Sequence, residues 1–510
     1  MAFATVTAAQ TEPPSASDNG TFDPPGSHGV LNPDGSEQLP PVNRDSAPIF
    51  AKPPAFGAGK TGFDSTRERR KRQAEAAKKK QRQPLPPVAT VPIAPVQRLR
   101  SPPPALSTAV TPGPITPVAA PPLTRPKPKP PELDPYAPLG IRVGAFMLRP
   151  AIEITGGYDS NPPRSSKPEG SPLYVIAPEL LVKSDWERHE FRATLRGNYT
   201  GYPELPSLDR PSFESILDGR IDVTHQTRIE LQGRYQVATD TPGSPNFQAD
   251  VAKPTLYTNV GGTVAAFHRF NRLEIGAKVS ADRTRYEESE LTDGTTVNNR
   301  DRDFSALAVE LRGSYELTPG VKPFVAVTSD RRVYDLAVDS FGVQRDSRGL
   351  TPRIGTTFEL TRQLTGDVSV GYLQRTYEDP KLDNLSGIIA DASLIWSATA
   401  LTKATFTIRS TVYESTDPDV SGVLARDFRV QLDHSFREWL IGTLKFGYGH
   451  DEYVGTTRVD QRLSAAVGLT YKMNRNVQWK GEIRREQRSS NVADEGYTAN
   501  IFLLGLRLQD

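Results

Sequence analysis

The sequence predicts an all-β chain: a transmembrane, antiparallel, up-and-down β-barrel of about 18 strands, preceded by a long disordered Pro-rich N-terminal tail. Three observations carry this. From Leu139 onward, apolar and polar residues alternate strictly over long segments, the period of strands with one apolar and one polar face. The connections between these segments run alternately short and long, as in hairpins with turns at one end and loops at the other. Prolines crowd the other end of the chain, with about 29 of the 46 in roughly the first 140 residues, a low-complexity composition.

The chain has 510 residues, with 62 Lys and Arg against 60 Asp and Glu, and a mean hydropathy of -0.49. It has no Cys, which excludes a disulfide scaffold, a thiolate zinc site, an iron–sulfur cluster and a cysteine nucleophile. No apolar run reaches the ~20 residues of a membrane-spanning helix. The near-neutral total is a cancellation between a tail of about +6 and a body of about -4, so no single-sign field argues for a polyanionic partner of the whole chain.

Residues 1–10 (MAFATVTAAQ) read as the last part of a signal peptide ahead of a small-residue cleavage site. Residues 11–137 show neither a helical nor a strand period and offer too little apolar surface to offset backbone ordering. Within them Arg69, Arg70, Lys71, Arg72, Lys78, Lys79 and Lys80 form a basic run without the interleaved aromatics that base stacking requires. It reads as a solvated patch for anionic polymer or lipid, not for nucleic acid. The stretch Arg125–Pro131 alternates Lys with Pro and imposes an extended polyproline II spacer.

The body is residues 138–510. Phe191, Ala193, Leu195, Gly197 and Tyr199 alternate with Glu190, Arg192, Thr194, Arg196 and Asn198, and Ile229–Val237 repeats the pattern against Arg228–Gln236. Segments such as Leu463–Tyr471 and Phe502–Leu508 continue it to the end. Spans of about 9–11 residues fit eighteen segments, and sixteen also fits. Gly and Ala are frequent on the apolar face, which lipid tolerates and a jigsaw core would leave as voids. Trp186, Phe267, Phe270, Trp396, Phe436, Trp439, Tyr471 and Trp479 gather at strand ends, the expected interfacial girdle.

The polar face is then the lumen, and its candidate lining charges are Arg192, Arg196, Arg228, Arg234, Lys278, Arg312, Arg429 and Arg484. Each has acidic residues close by in sequence. They read either as a charged translocation path that contacts hydroxyls or carboxylates of a passing solute, or as mixed charge that satisfies itself. No catalytic constellation appears. The His residues form no HExxH, Ser435 beside His434 points to the opposite strand face, and no GxSxG or Walker pattern is present. His450-Asp451-Glu452 reads as a hydrated charge patch opening an outer loop. No enzyme activity and no cofactor are expected.

Leu139–Asn161, LGIRVGAFMLRPAIEITGGYDSN, carries a Gly–Ile–Arg stretch, Pro150 in the first strand, and Tyr158-Asp159-Ser160-Asn161 at its end. The last strand ends Leu504-Gly505-Leu506-Arg507-Leu508. These blocks resemble the putative beta-barrel porin family of the second type, over roughly Pro138 to Asp510. The resemblance implies a Gram-negative outer-membrane barrel, some members being associated with exopolysaccharide or capsule export. Many barrels end on an aromatic residue, and this chain ends Leu508-Gln509-Asp510.

Two functional readings follow. The first is a channel or conduit for hydrophilic solutes or polysaccharide, with outer-membrane lipid around it and the tail in the periplasm. The second is a structural anchor whose basic, Pro-rich tail tethers cell-wall polymer or a periplasmic export partner.

Overall fold

The computed structural model describes residues 135–244, 251–291, 294–361, 363–415 and 419–510. The expected tail and signal remnant, up to residue 134, lie outside them.

Eighteen strands make one closed sheet: β1 (Phe146–Asp159), β2 (Ser171–Ser184), β3 (Glu190–Gly201), β4 (Arg210–Asp222), β5 (Thr227–Thr239), β6 (Leu256–Phe270), β7 (Leu273–Tyr286), β8 (Phe304–Tyr315) and β9 (Val321–Tyr334) form the first half. The second half is β10 (Ser347–Thr361), β11 (Leu364–Tyr377), β12 (Leu385–Trp396), β13 (Thr402–Glu414), β14 (Gly422–Arg437), β15 (Leu440–Val454), β16 (Val459–Lys472), β17 (Val477–Ser490) and β18 (Tyr497–Gln509). Each pairs antiparallel with its neighbours in sequence, and β1 pairs with β18, from Ala151↔Gln509 to Asp159↔Ile501. Closure pairs every strand with a neighbour on both sides, the condition for a sheet to sit in lipid. Carried once round the cylinder, the register advances by about 22 residues, which tilts the strands by roughly 40°. The strands are longer than the expected spans, from 12 to 16 residues. The extra residues carry the ladders past the apolar band.

Long connections lie at one end and short turns at the other. The two-residue turn between β6 and β7 places Asn271 at φ 56, a left-handed geometry that Asn adopts readily in such hairpins. Register shifts at Glu359/Thr361 and Ser435/Arg437 fall at the same end. Both termini of the barrel lie there too. Ile141–Val143 pairs back onto the start of β1, and Arg475 Nε in the β16–β17 turn donates to Pro135 O at 2.8 Å.

The large apolar residues left exposed point outward along the walls, among them Ile154, Leu231, Val264, Leu311, Val325, Ile354, Val467 and Leu504. At the short-turn end Trp186, Phe270, Trp396, Phe436, Trp439, Tyr471 and Trp479 are also exposed. His268 and His434 each bond a Thr hydroxyl (Thr227 and Thr402) at 2.9 Å and meet Phe270 and Phe436 edge to face. Phe267 departs from the expected girdle. It points inward, with the Arg228 guanidinium 4.2 Å from its ring centre. A second aromatic arc, Tyr158, Tyr174, Tyr199, Phe213 and Tyr235, lies outward near the long-loop end of β1 to β5.

Candidate functional site

The polar faces of all eighteen strands converge on the lumen, and register decides which charges meet. Arg196 on β3 stands directly opposite Glu179 on β2 and Glu214 on β4. Its guanidinium lies 3.5 Å from the first carboxylate and 3.7 Å from the second. Arg507 on β18 extends the row, donating to Glu179 at 3.1 Å and approaching Glu153 on β1 at 3.7 Å. Lys480 reaches the same Glu153 from β17. The signs alternate along this arc, so each charge faces its opposite.

A second device recurs three times: a guanidinium and a carboxylate on strands two apart, with a glycine in register between them. Arg234 on β5 and Asp282 on β7 flank Gly261 on β6, and Nη2 donates to Oδ1 at 2.8 Å and to Oδ2 at 3.0 Å. Asp330 on β9 and Arg375 on β11 pair across Gly349 on β10. Asp427 on β14 and Arg462 on β16 pair at 3.1 Å across Gly449 on β15. A Cβ at Gly261 would sit 1.8 Å from Asp282 Oδ1, and one at Gly349 would sit 2.1 Å from Asp330 Oδ1. The missing side chain lets each pair lie flat against the wall.

The other candidate lumen charges also face inward. Arg192 bonds Glu190 at 3.1 Å. Arg228 bonds Glu230 at 2.8 Å and takes Glu274 in a two-toothed pair at 2.7 and 3.2 Å, reaching over Phe267. Arg312 lies 3.5 Å from the ring centre of Phe324 and donates to Thr357 at 3.0 Å. Lys278 stands opposite Glu310 in the β7–β8 ladder. Arg429 approaches Asp427 at 3.9 Å, and Arg484 pairs with Glu482 and, at 3.7 Å, with Glu486. The basic run of Arg69, Arg70, Lys71, Arg72, Lys78, Lys79 and Lys80 lies outside the described residues.

At the long-loop end the mouth is narrowed from two sides. The turn Thr241–Ser244, after β5, is carried over to β17 and β18, where Arg488 Nη1 donates to Gly243 O at 3.0 Å. Gly243, at φ 80, fits against Arg164 and Tyr497, and a Cβ there would meet both within 3 Å. Arg164 is itself anchored to Asp159 at 2.7 Å and Glu486 at 2.9 Å. The neighbouring Asp240 forms a buried pair with Arg302 of the β7–β8 loop at 3.1 Å.

On the opposite side, the ladder between β12 and β13 stops after five pairs, Ala392↔Ile408 to Trp396↔Ala404. Beyond it the β13–β14 hairpin leans inside the wall. Val412 and Leu424, on the face that looks outward lower down, pack against Leu373, Leu385 and Ile389 on the inner face of β11 and β12. A Cβ at Gly387 would lie 2.8 Å from Leu424 Cδ2. Ser410 Oγ stands in for the missing rungs, accepting from Ala390 N at 2.9 Å and donating to Ala390 O at 3.0 Å. Arg345 of the β9–β10 loop clamps the hairpin tip through Ser415 O and, at 3.2 Å, Val420 O. Asp379 ties the β9–β10 and β11–β12 loops, accepting from Gln344 N at 3.0 Å and Lys381 N at 2.9 Å. Those two backbone donors hold its carboxyl below the usual carboxylate range.

His450-Asp451-Glu452 is not a loop patch. All three lie in β15, and Asp451 is buried inward against Arg462 at 2.7 Å. Among the described residues no group of three or more His, Cys, Asp or Glu comes together as a metal site. The loop arginines Arg164, Arg302 and Arg345, which organise the mouth, have no periodic signature and were outside the sequence-derived set.

The family model described as Putative beta-barrel porin 2 matches residues 134–510. No curated protein matches the chain. Among solved structures, the outer-membrane protein OpdK from Pseudomonas aeruginosa is similar over 71% of this chain and 99% of its own, at 9% identity and a TM-score of 0.38. OccAB4 from Acinetobacter baumannii is similar over 71% and 98%, at 11% identity and a TM-score of 0.38. A BenF-like porin from Pseudomonas fluorescens is similar over 72% and 100%, at 9% identity and a TM-score of 0.38.

Proposed function

The chain belongs to the Putative beta-barrel porin 2 family of outer-membrane barrels, and from that premise we propose that it is a conduit for hydrophilic solutes. The observation that carries this is the wall itself, a closed eighteen-strand cylinder, apolar outside and lined by in-register ion pairs inside. Pairing the charges along the wall neutralises them while leaving the part-exposed donors and acceptors within reach of a passing solute. Arg192, Arg228, Lys278, Arg312 and Arg429 are the contacts it would meet, while Arg196, Arg234 and Arg484 are buried among their partners and hold the wall. The long loops face the exterior, and the N-terminal tail lies in the periplasm, since both barrel ends lie on the short-turn side.

Planar-bilayer conductance of the refolded full chain tests the reading. Stepwise currents support it, and silence from protein shown to be folded in the bilayer overturns it. A polysaccharide is the larger cargo of the same class. Current block by added exopolysaccharide, absent with an equal mass of free monosaccharide, supports that cargo.

The anchor reading rests on the composition of residues 11–137, the basic run followed by the Lys–Pro spacer. It predicts that deleting them abolishes co-sedimentation with cell-wall polymer and leaves conductance intact.

A further inference from the structure

On the outer wall the residues just above the apolar band differ from one side of the cylinder to the other. Over β1 to β5 they are the aromatic arc already described. Over β7 to β10 they are arginines: Arg283 and Arg285 on β7, Arg331 on β9 and Arg348 on β10. Each continues an outward, lipid-facing row. Arg283 lies two residues beyond Ala281 and four beyond Val279, Arg331 four beyond Val327, and Arg348 two before Leu350.

Arg331 and Arg348 are directly opposed in the β9–β10 ladder. Like charges in that position repel across a sheet. Their side chains are 52% and 65% exposed, and both lean towards a single carboxylate oxygen, Glu378 Oε1, at 3.7 and 3.6 Å. Those distances are too long for hydrogen bonds, so the guanidinium donors turn towards solvent instead of being consumed by the protein. Arg283 is bidentate on Asp335 and donates to Ser305 Oγ at 3.1 Å. The outward side chains here thus set Arg283 and Arg285 beside Asp335 and Asp303, and leave Arg331 and Arg348 to share Glu378 alone, at headgroup height and beside bare apolar wall.

We propose that this arc is a binding site for a phosphate-bearing glycolipid of the outer leaflet. Arg331 and Arg348 clamp one phosphate from two strands, and Arg285 with Arg283 offers a second contact. The acyl chains lie along Val325, Val327, Leu350 and Ile354. Guanidinium suits the role, because its planar fork matches phosphate oxygens and is weakly hydrated. A phosphate seated between Arg331 and Arg348 turns their repulsion into a bridge. The inference rests on the orientation given above, long loops outward, and is independent of whether the lumen conducts.

The test uses the full chain in non-ionic detergent, titrated with purified bis-phosphorylated lipid A and read by native mass spectrometry. Wild type should retain the glycolipid, and the Arg331→Gln/Arg348→Gln double variant should bind at least tenfold more weakly, with unchanged bilayer conductance. Arg485→Gln, an outward arginine on β17 that meets Asn500 at 3.1 Å, is the control and should bind as wild type. Equal binding by the double variant, equal loss in the control, or equal retention of a dephosphorylated lipid A would each overturn the site. Preferential retention of phosphatidylglycerol over lipid A would overturn the orientation on which it rests, whatever the conductance shows.

Discussion

Arg234 and Asp282 are bonded to each other across a strand to which neither belongs, through the gap left by Gly261. The same arrangement at Asp330–Arg375 and Asp427–Arg462 makes it a rule of this wall.

Gly261→Ala places a Cβ where Asp282 Oδ1 now sits, so the pair must separate or the wall must bulge. We expect a loss of about 1–3 kcal/mol of stability, the usual scale of overpacking. The freed guanidinium and carboxylate should also change ion selectivity. Denaturant unfolding in vesicles and the reversal potential across a salt gradient measure the two effects. A variant with wild-type values in both would show that the glycine is dispensable.

Arg196→Met removes the cation between two carboxylates. Glu179 keeps Arg507, whereas Glu214, 4% exposed, loses the guanidinium it faces. Destabilisation of about 1–3 kcal/mol is expected, the cost of a buried polar group left unsatisfied. Denaturant unfolding in vesicles measures the deficit. Wild-type stability in the variant would contradict the assignment.

The inward hairpin can be locked. The chain contains no Cys, so Gly387→Cys with Leu424→Cys introduces the only two thiols, one on each side of the overlap. Oxidation should pin β14 to β12 and suppress any large-conductance state, and reductant should restore it. Arg345→Ala should act in the opposite direction, releasing the tip and raising mean conductance. No change in either variant would mean that the hairpin does not move during conduction.

Asp379 supplies a pH dependence. Its carboxyl is held low by the amides of Gln344 and Lys381, so its contribution is complete above the unfolded value near ~3.9 and disappears as pH falls through the lower folded value. Limited proteolysis should find the β9–β10 loop protected at pH 5 and cut only in stronger acid. In Asp379→Ala it should be cut at both. Cleavage of wild type at pH 5 would contradict the tie.

Strand alternation was enough to place Arg192, Arg196, Arg228 and the other lumen candidates on the inner face, and alternating connection lengths were enough for the strand count. Their partners were not legible. A strand period says which way Arg234 points, but only the register of β5, β6 and β7 says that Gly261 stands between it and Asp282. Phe267 reads as an interfacial aromatic until Arg228 is seen lying over it. The upper half of β13 alternates normally in sequence, yet Val412 and Tyr413 are both buried because the hairpin has lining on both faces. Arg164, Arg302 and Arg345 sit in loops, where no period marks a residue as structural.

A perfect cylinder has no first or last stave, but this one does. The chain ends are joined by nine rungs between β1 and β18, whereas β12 and β13 share five. In folding, the sheet therefore behaves as a ribbon whose free margins lie inside the sequence. Side-chain burial, not backbone zippering, completes its last stretch. Backbone amides of β12 near Gly387 should be among the first in the wall to exchange with deuterium, and heat should part the cylinder there before it parts at the termini.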